Sequence, residues 1–275
     1  MAAWRPRQRL QSGAMDTRSW DRAALAPGRS ADLPRPEVPA LPAGRLPTLA
    51  ELFTFMRDAE LRFSTLRMRI DERAGTARGQ HLVTAELLLA HPGNARVTTT
   101  EGHRGTAGNY ELWLSDGDIV RTYSAPHKVG TRRPVRNRVR GLDKDFPGRS
   151  RIYEPITPLP METLPDTFIH PAGYCQNVLA TGRCWVGGTD IVGVAGRSAI
   201  LVECDHPRTI EMAADRPDFH IQVAVDRLDG VILRLVESMG GSVTRHAEAV
   251  DYAPDASIPA TAFEFEFPAD TTMMY

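Results

Sequence analysis

The sequence predicts an α+β domain that is mainly β, an antiparallel sheet wrapped around one N-terminal helix and interrupted by a long lid-like insertion. Three observations predict it. A single helical stripe near residue 50 is followed by repeated runs of period two. Glycine-containing turns separate those runs at hairpin spacing. No helical pattern stands between successive strands, which favours an antiparallel meander over a parallel α/β sheet.

Residues 1–46 are rich in Arg, Pro and Ala and have no hydrophobic period, so they read as a disordered tail, with a docking arm as the functional alternative. The folded domain then spans 47–275. Thr48 and Glu51 have the spacing of a capping box. Leu49, Leu52, Phe53, Met56 and Phe63 follow at roughly helical spacing, a stripe expected to pack on a sheet.

From Leu66 the period becomes two, with Leu66, Met68 and Ile70 alternating with Arg67, Arg69 and Asp71. A turn near 75–79 leads to a strand over 81–90, and the His91-Pro92-Gly93-Asn94 turn leads to its return over 95–100. Asp116-Gly117 joins strands 110–114 and 119–123. Phe219, Ile221, Val223 and Val225 alternate with polar residues, Asp229-Gly230 turns the chain into 231–237, and Gly240-Gly241 precedes 242–252. A last strand is expected over 262–267, with Phe263, Phe265 and Phe267 on one face. Residues 124–190 are rich in Pro, Arg and Gly and read as an irregular basic lid, with a short helix near 160–169.

Composition narrows the function. The chain has 275 residues, 42% hydrophobic, and a formal net charge of -1, which gives no electrostatic reason to expect nucleic acid. Its basic residues are almost all arginine, read as genome composition because the bias is spread along the chain. No stretch approaches the roughly 18 to 20 apolar residues of a membrane span. The N-terminus lacks the apolar run of about 7 to 15 residues of a secretory signal. A cytoplasmic location is therefore expected.

No GxSxG elbow, P-loop, HExxH or CxxC is present, so neither an enzyme nor a metal or cofactor site is expected. Cys175 and Cys184 could close a small loop in an oxidising compartment or remain free thiols, and Cys204 reads as a small buried hydrophobe. The densest charge, with Arg132, Arg133, Arg136, Arg138 and Arg140 at its head, reads as a solvated loop or as a contact for an anionic membrane surface or acidic protein.

In order, the motifs "AHPGNARV", "LWLSDGDIVRTYS", "VAGRSAILVEC", "VAVDRLDGVILRLV" and "IPATAFEFEFP" resemble the superfamily of LolA- and LolB-type lipoprotein carriers and RseB/MucB-type stress sensors. The resemblance spans roughly residues 48 to 270. It implies a curved, incomplete β-barrel whose concave side is closed by helices around an apolar cavity. The implied function is non-enzymatic binding of a lipid acyl chain or lipidated peptide, with a regulatory module binding a protein such as an anti-sigma factor as the alternative. Family relatives are extracytoplasmic, at odds with the N-terminus. The candidate cavity residues are Met68, Leu87, Leu89, Leu112, Leu114, Tyr123, Phe219, Ile221 and Val223, each equally suited to plain core packing. His91 occupies the position where carriers place a lid-holding Arg or Lys; the position is carried over but not the role.

Overall fold

A computed structural model describes residues 40–76, 79–102, 109–135, 140–142, 152–153, 155–161, 163–207 and 218–274. Helix α1 (Leu49–Arg57) begins where the capping box places it: the Thr48 N–H donates to Glu51 Oε2 at 2.8 Å, and Thr48 Oγ1 accepts from the Glu51 N–H at 3.3 Å. Its buried face is Leu52, Phe53, Phe55 and Met56. Order also reaches upstream of the expected boundary, since Leu41 packs against the core and Arg45 forks onto Glu51 at 2.6 and 2.9 Å.

The strands are β1 (Thr65–Thr76), β2 (Gly79–Ala90), β3 (Asn94–Glu101), β4 (Tyr110–Asp116), β5 (Ile119–Ser124), β6 (Val129–Pro134), β7 (Arg140–Leu142) and β8 (Ile152–Tyr153). Two short helices follow, α2 (Leu164–Ile169) and α3 (Ala172–Asn177). Then come β9 (Arg183–Val194), β10 (Arg197–Asp205), β11 (Phe219–Asp226), β12 (Ile232–Met239), β13 (Ser242–Pro254) and β14 (Thr272–Met274).

Twelve of these form one open sheet, in the order β14-β6-β5-β4-β3-β2-β1-β13-β12-β11-β10-β9, while β7 and β8 pair separately. It consists of two meanders, β1–β6 and β9–β13, joined where β1 pairs antiparallel with β13. Only β14 runs parallel to its neighbour, β6. The fold is thus the mainly β, curved, unclosed sheet that the sequence predicts.

Two expectations are corrected. Residues 124–190 are not irregular throughout: β6 and the start of β9 continue the two meanders from its ends, and α2 and α3 lie between. Residues 262–267 form no strand. A single 3₁₀ turn (Ala260–Phe263) and an extended segment cross the sheet instead, with Arg96 Nη1 donating to the Ala262 carbonyl at 3.2 Å.

Candidate functional site

The pleat sends alternate side chains to opposite faces, and register then decides which predicted residues share a site. Met68 lies opposite Leu87, Leu87 opposite Val97, and Leu66 opposite Leu89, so these line one face. Phe219, Ile221 and Val223 of β11 belong to the same apolar cluster. This face carries the helices: Leu52 and Met56 of α1, Phe168 and Ile169 of α2, and Cys175 of α3 are all in it. None of the six predicted residues here is more than 5% exposed. They form a floor, and the helices are its cover.

The other three predicted cavity residues are elsewhere. Val97 pairs with Trp113, so Trp113 faces the floor side while Leu112 and Leu114 point away from it. Tyr123, opposite Leu112, points away too. They form a second cluster on the outer face, where the C-terminal segment lays Phe265 and Phe267 over them, the rings 5.6 and 6.3 Å from the Tyr123 ring. Leu112, Leu114 and Tyr123 therefore cannot share one cavity with the other six.

The cover is fastened by two histidines. His170, just after α2, places Nδ1 3.0 Å from Asp166 Oδ1 and Nε2 3.1 Å from Glu60 Oε2. All three side chains are buried, and Glu60 Oε2 also accepts from the Ile156 N–H at 3.0 Å. One contact set thus ties α2 and the segment before it to the turn after α1. His91 is the second fastener. Its ring stacks on Phe63, its Nδ1 is 2.7 Å from Thr157 Oγ1, and the Gly93 N–H donates to that same hydroxyl at 2.8 Å. His91 does not line the floor. It holds the extended segment leading into the cover at Thr157, from the position just before the turn proline.

The floor ends at a charged rim. Arg245 on β13 binds Glu72 on β1 and, at 3.3 Å, Glu237 on β12. Burial works against the Arg245 charge, but the two carboxylates outweigh it and raise its pKa. The Tyr174 hydroxyl of α3 is buried without a hydrogen-bond partner among the described residues; burial, with Glu237 next in effect, pushes its pKa well above the usual tyrosine range. At the opposite end Arg197 forks onto Asp226 at 2.8 and 3.0 Å and reaches Asp229 at 2.6 Å, fixing the β11–β12 turn. Arg62 lies over the Phe55 ring, and burial pushes its pKa down to about 10.

Of the basic residues, Arg132 and Arg133 are exposed on β6; Arg136 and Arg138 lie outside the described residues, and Arg140 is described only as a position in β7. The Cys175–Cys184 pairing is not formed. None of the three cysteines is in a disulfide, and the residue opposite Cys184 across the β9–β10 ladder is Cys204. Among the described residues no group of three or more His, Cys, Asp or Glu side chains could hold a metal ion, and no helix is long and apolar enough to cross a membrane.

Sequence reasoning missed the Glu60–Asp166–His170 cluster. Its one local signal was Asp166 and His170 at helical i,i+4 spacing; Glu60 is distant in sequence. Nothing local marked the Glu72–Arg245–Glu237 rim either, because it joins three strands.

No protein-family model matches the sequence, and no curated protein does. Solved structures do. The MucA/MucB complex of Pseudomonas aeruginosa matches with a TM-score of 0.44 at 12% identity, over 82% of this chain and 62% of that one. A conserved protein from Thermus thermophilus matches with a TM-score of 0.42 at 9% identity, over 82% and 98%. A LolA-superfamily protein from Nitrosomonas europaea matches with a TM-score of 0.31 at 9% identity, over 80% and 99%. This chain spans about 62% of the MucB chain's length.

Proposed function

We propose that this chain is a non-catalytic binding protein that takes the acyl chain of a lipid or lipidated peptide onto the floor of the open sheet, beneath α2 and α3. The observation that carries the reading is the construction of the cover. Beyond α1, the floor is closed by two helices of six residues each, not by further strands. Helices that short are not stable alone; α2 stays in place through its apolar contacts and the His170 and His91 contacts. If the cover lifts, a continuous apolar surface is left, and an acyl chain replaces the lost contacts at about 0.8 kcal/mol per buried methylene. The charged rim would hold the guest's polar end.

A second reading, a regulatory module for an acidic protein or anionic surface, is favoured by the exposed Arg132 and Arg133 on β6. Native mass spectrometry of protein purified without detergent, followed by solvent extraction, separates the two. Released acyl species, or uptake of added fatty acid, support the first. A clean apo mass with no uptake sinks it and leaves the protein-partner reading.

A further inference from the structure

Cys184 and Cys204 are direct partners in the antiparallel β9–β10 ladder. Residues so paired have Cα atoms about 4.5 or about 5.5 Å apart, and a disulfide accepts about 4.4–6.8 Å. Both side chains point to the floor side: they belong to or pack against the same apolar cluster, while Trp185, the next residue along β9 and the partner of Glu203, is exposed on the other face. The two thiols also converge. Cys184 Sγ donates to the Leu179 carbonyl at 2.9 Å, and Cys204 Sγ lies 3.5 Å from the same oxygen. The neighbouring thiols perturb each other's titration, Cys204 raising the Cys184 pKa and Cys184 lowering that of Cys204. Cys175 differs: it is fully buried and directs its thiol at Met56 Sδ, 3.7 Å away. Gly182 lets the chain approach closely, since a Cβ there would stand 2.6 Å from Cys204 Sγ.

We propose that Cys184 and Cys204 form a cross-strand disulfide on exposure to a peroxide, making this pair an oxidative modification site at the junction of the cover with the edge strand. Cys204, as thiolate, attacks one peroxide oxygen. The O–O bond breaks, the departing hydroxide takes a proton to become water, and Cys204 becomes a sulfenic acid. The Cys184 sulfur attacks the Cys204 sulfur, the S–S bond forms, and the sulfenic hydroxyl leaves as water with the Cys184 proton. One peroxide is reduced and two thiols are oxidised. The edge strand β9 becomes covalently fixed to β10, while the Leu179 carbonyl, in the last turn of the cover, loses its thiol donors.

The test treats the full chain with a small molar excess of hydrogen peroxide, alkylates under denaturing conditions and maps the peptides. The expected result is a Cys184–Cys204 cross-link, an alkylated Cys175, and a mass lower by two hydrogen atoms. Cys175→Ala should leave the cross-link intact, and Cys204→Ser should abolish it. Amide exchange over β9 should slow in the oxidised protein, a readout that a surface oxidation would not move. A cross-link that includes Cys175 overturns the proposal, as do sulfinic products without a cross-link, or free thiols throughout.

Discussion

Replacing Phe168 by alanine tests whether α2 is a packed cover over the sheet. Phe168 has no exposed surface and shares its cluster with Leu52, Met56 and floor residues from β1, β2 and β11. Truncating such a residue costs about 3–5 kcal/mol, part lost transfer energy and part residual cavity. The upper part of that range applies here, because the floor side chains are fixed by ladder hydrogen bonds on both sides and cannot collapse far. Against a usual stability of about 5–15 kcal/mol, the loss should appear in urea unfolding as a lower midpoint at unchanged slope. The cavity left behind is apolar. At about 0.8 kcal/mol per methylene, about four to six methylenes offset the loss, before the cost of immobilising the guest. Octanoate should therefore raise the melting temperature of Phe168→Ala more than that of the parent protein. A loss under about 1 kcal/mol would refute the packing. A full loss with no response to any medium-chain fatty acid would refute the link between cover and guest.

His170→Leu takes one hydrogen bond from each of the buried Glu60 and Asp166 carboxylates, at about 1.5–3 kcal/mol for each bond to a charged group. Amide exchange should quicken in α2 ahead of β1 and β2, and uniform quickening would contradict a separately fastened cover. Gly93 has φ +85°, and a Cβ there would stand 2.8 Å from the Gly117 Cα, whereas a Cβ on Gly117, at φ +92°, would meet nothing nearer than 4.0 Å. Gly93→Ala should thus cost more than the ~1 kcal/mol expected of Gly117→Ala for backbone strain alone; equal losses in thermal unfolding would refute the close approach of the two hairpin tips. Burial works to lower the His220 pKa, but hydrogen bonds to Asp205 and Glu203, at 2.7 and 2.6 Å, outweigh it and raise it above 6.5. Its contribution to stability is complete below the unfolded-state value and is lost as pH rises through the folded one. An NMR titration placing the His220 midpoint at or below that of a free histidine would overturn this.

Local signals determine those parts of the fold that local chemistry controls. Thr48 and Glu51 sufficed to start α1, and Asp116-Gly117 sufficed for the β4–β5 hairpin, because each motif is satisfied within a few residues. Two of the strands that escaped notice, β6 and β9, contain glycines whose reason lies far away in sequence. A Cβ on Gly130 would stand 2.6 Å from the Phe267 ring, and one on Gly187 2.6 Å from the Glu203 side chain. Each glycine reads locally as loop and is demanded by a later segment passing close by. The division of the apolar strand residues failed for a related reason. In β4 the run Leu112-Trp113-Leu114 is apolar on both faces, and only the returning Phe265 and Phe267 reveal that both faces are covered. For cysteines, eight-residue proximity suggested Cys175 with Cys184, but ladder register sets Cys184 against Cys204.

Because the floor is occupied by its own cover, any guest competes with α2 and α3, and that competition sets a chain-length dependence. If lifting the cover costs about 3 kcal/mol, the order of one broken buried cluster, the open form is populated about a hundredfold less than the closed one, and apparent affinity falls by the same factor. At about 0.8 kcal/mol per methylene, roughly the first four methylenes only cancel that cost. Each further pair should then raise affinity by about tenfold, until the floor is filled. A titration of saturated fatty acids of increasing length should give no measurable binding for the shortest, then a steep logarithmic rise. His170→Leu should move the onset to shorter chains without changing the slope, because it lowers the opening cost and leaves the floor untouched. A gentle dependence with no onset, unchanged by His170→Leu, would mean that the fatty acids associate with the outer surface and that the floor is plain core.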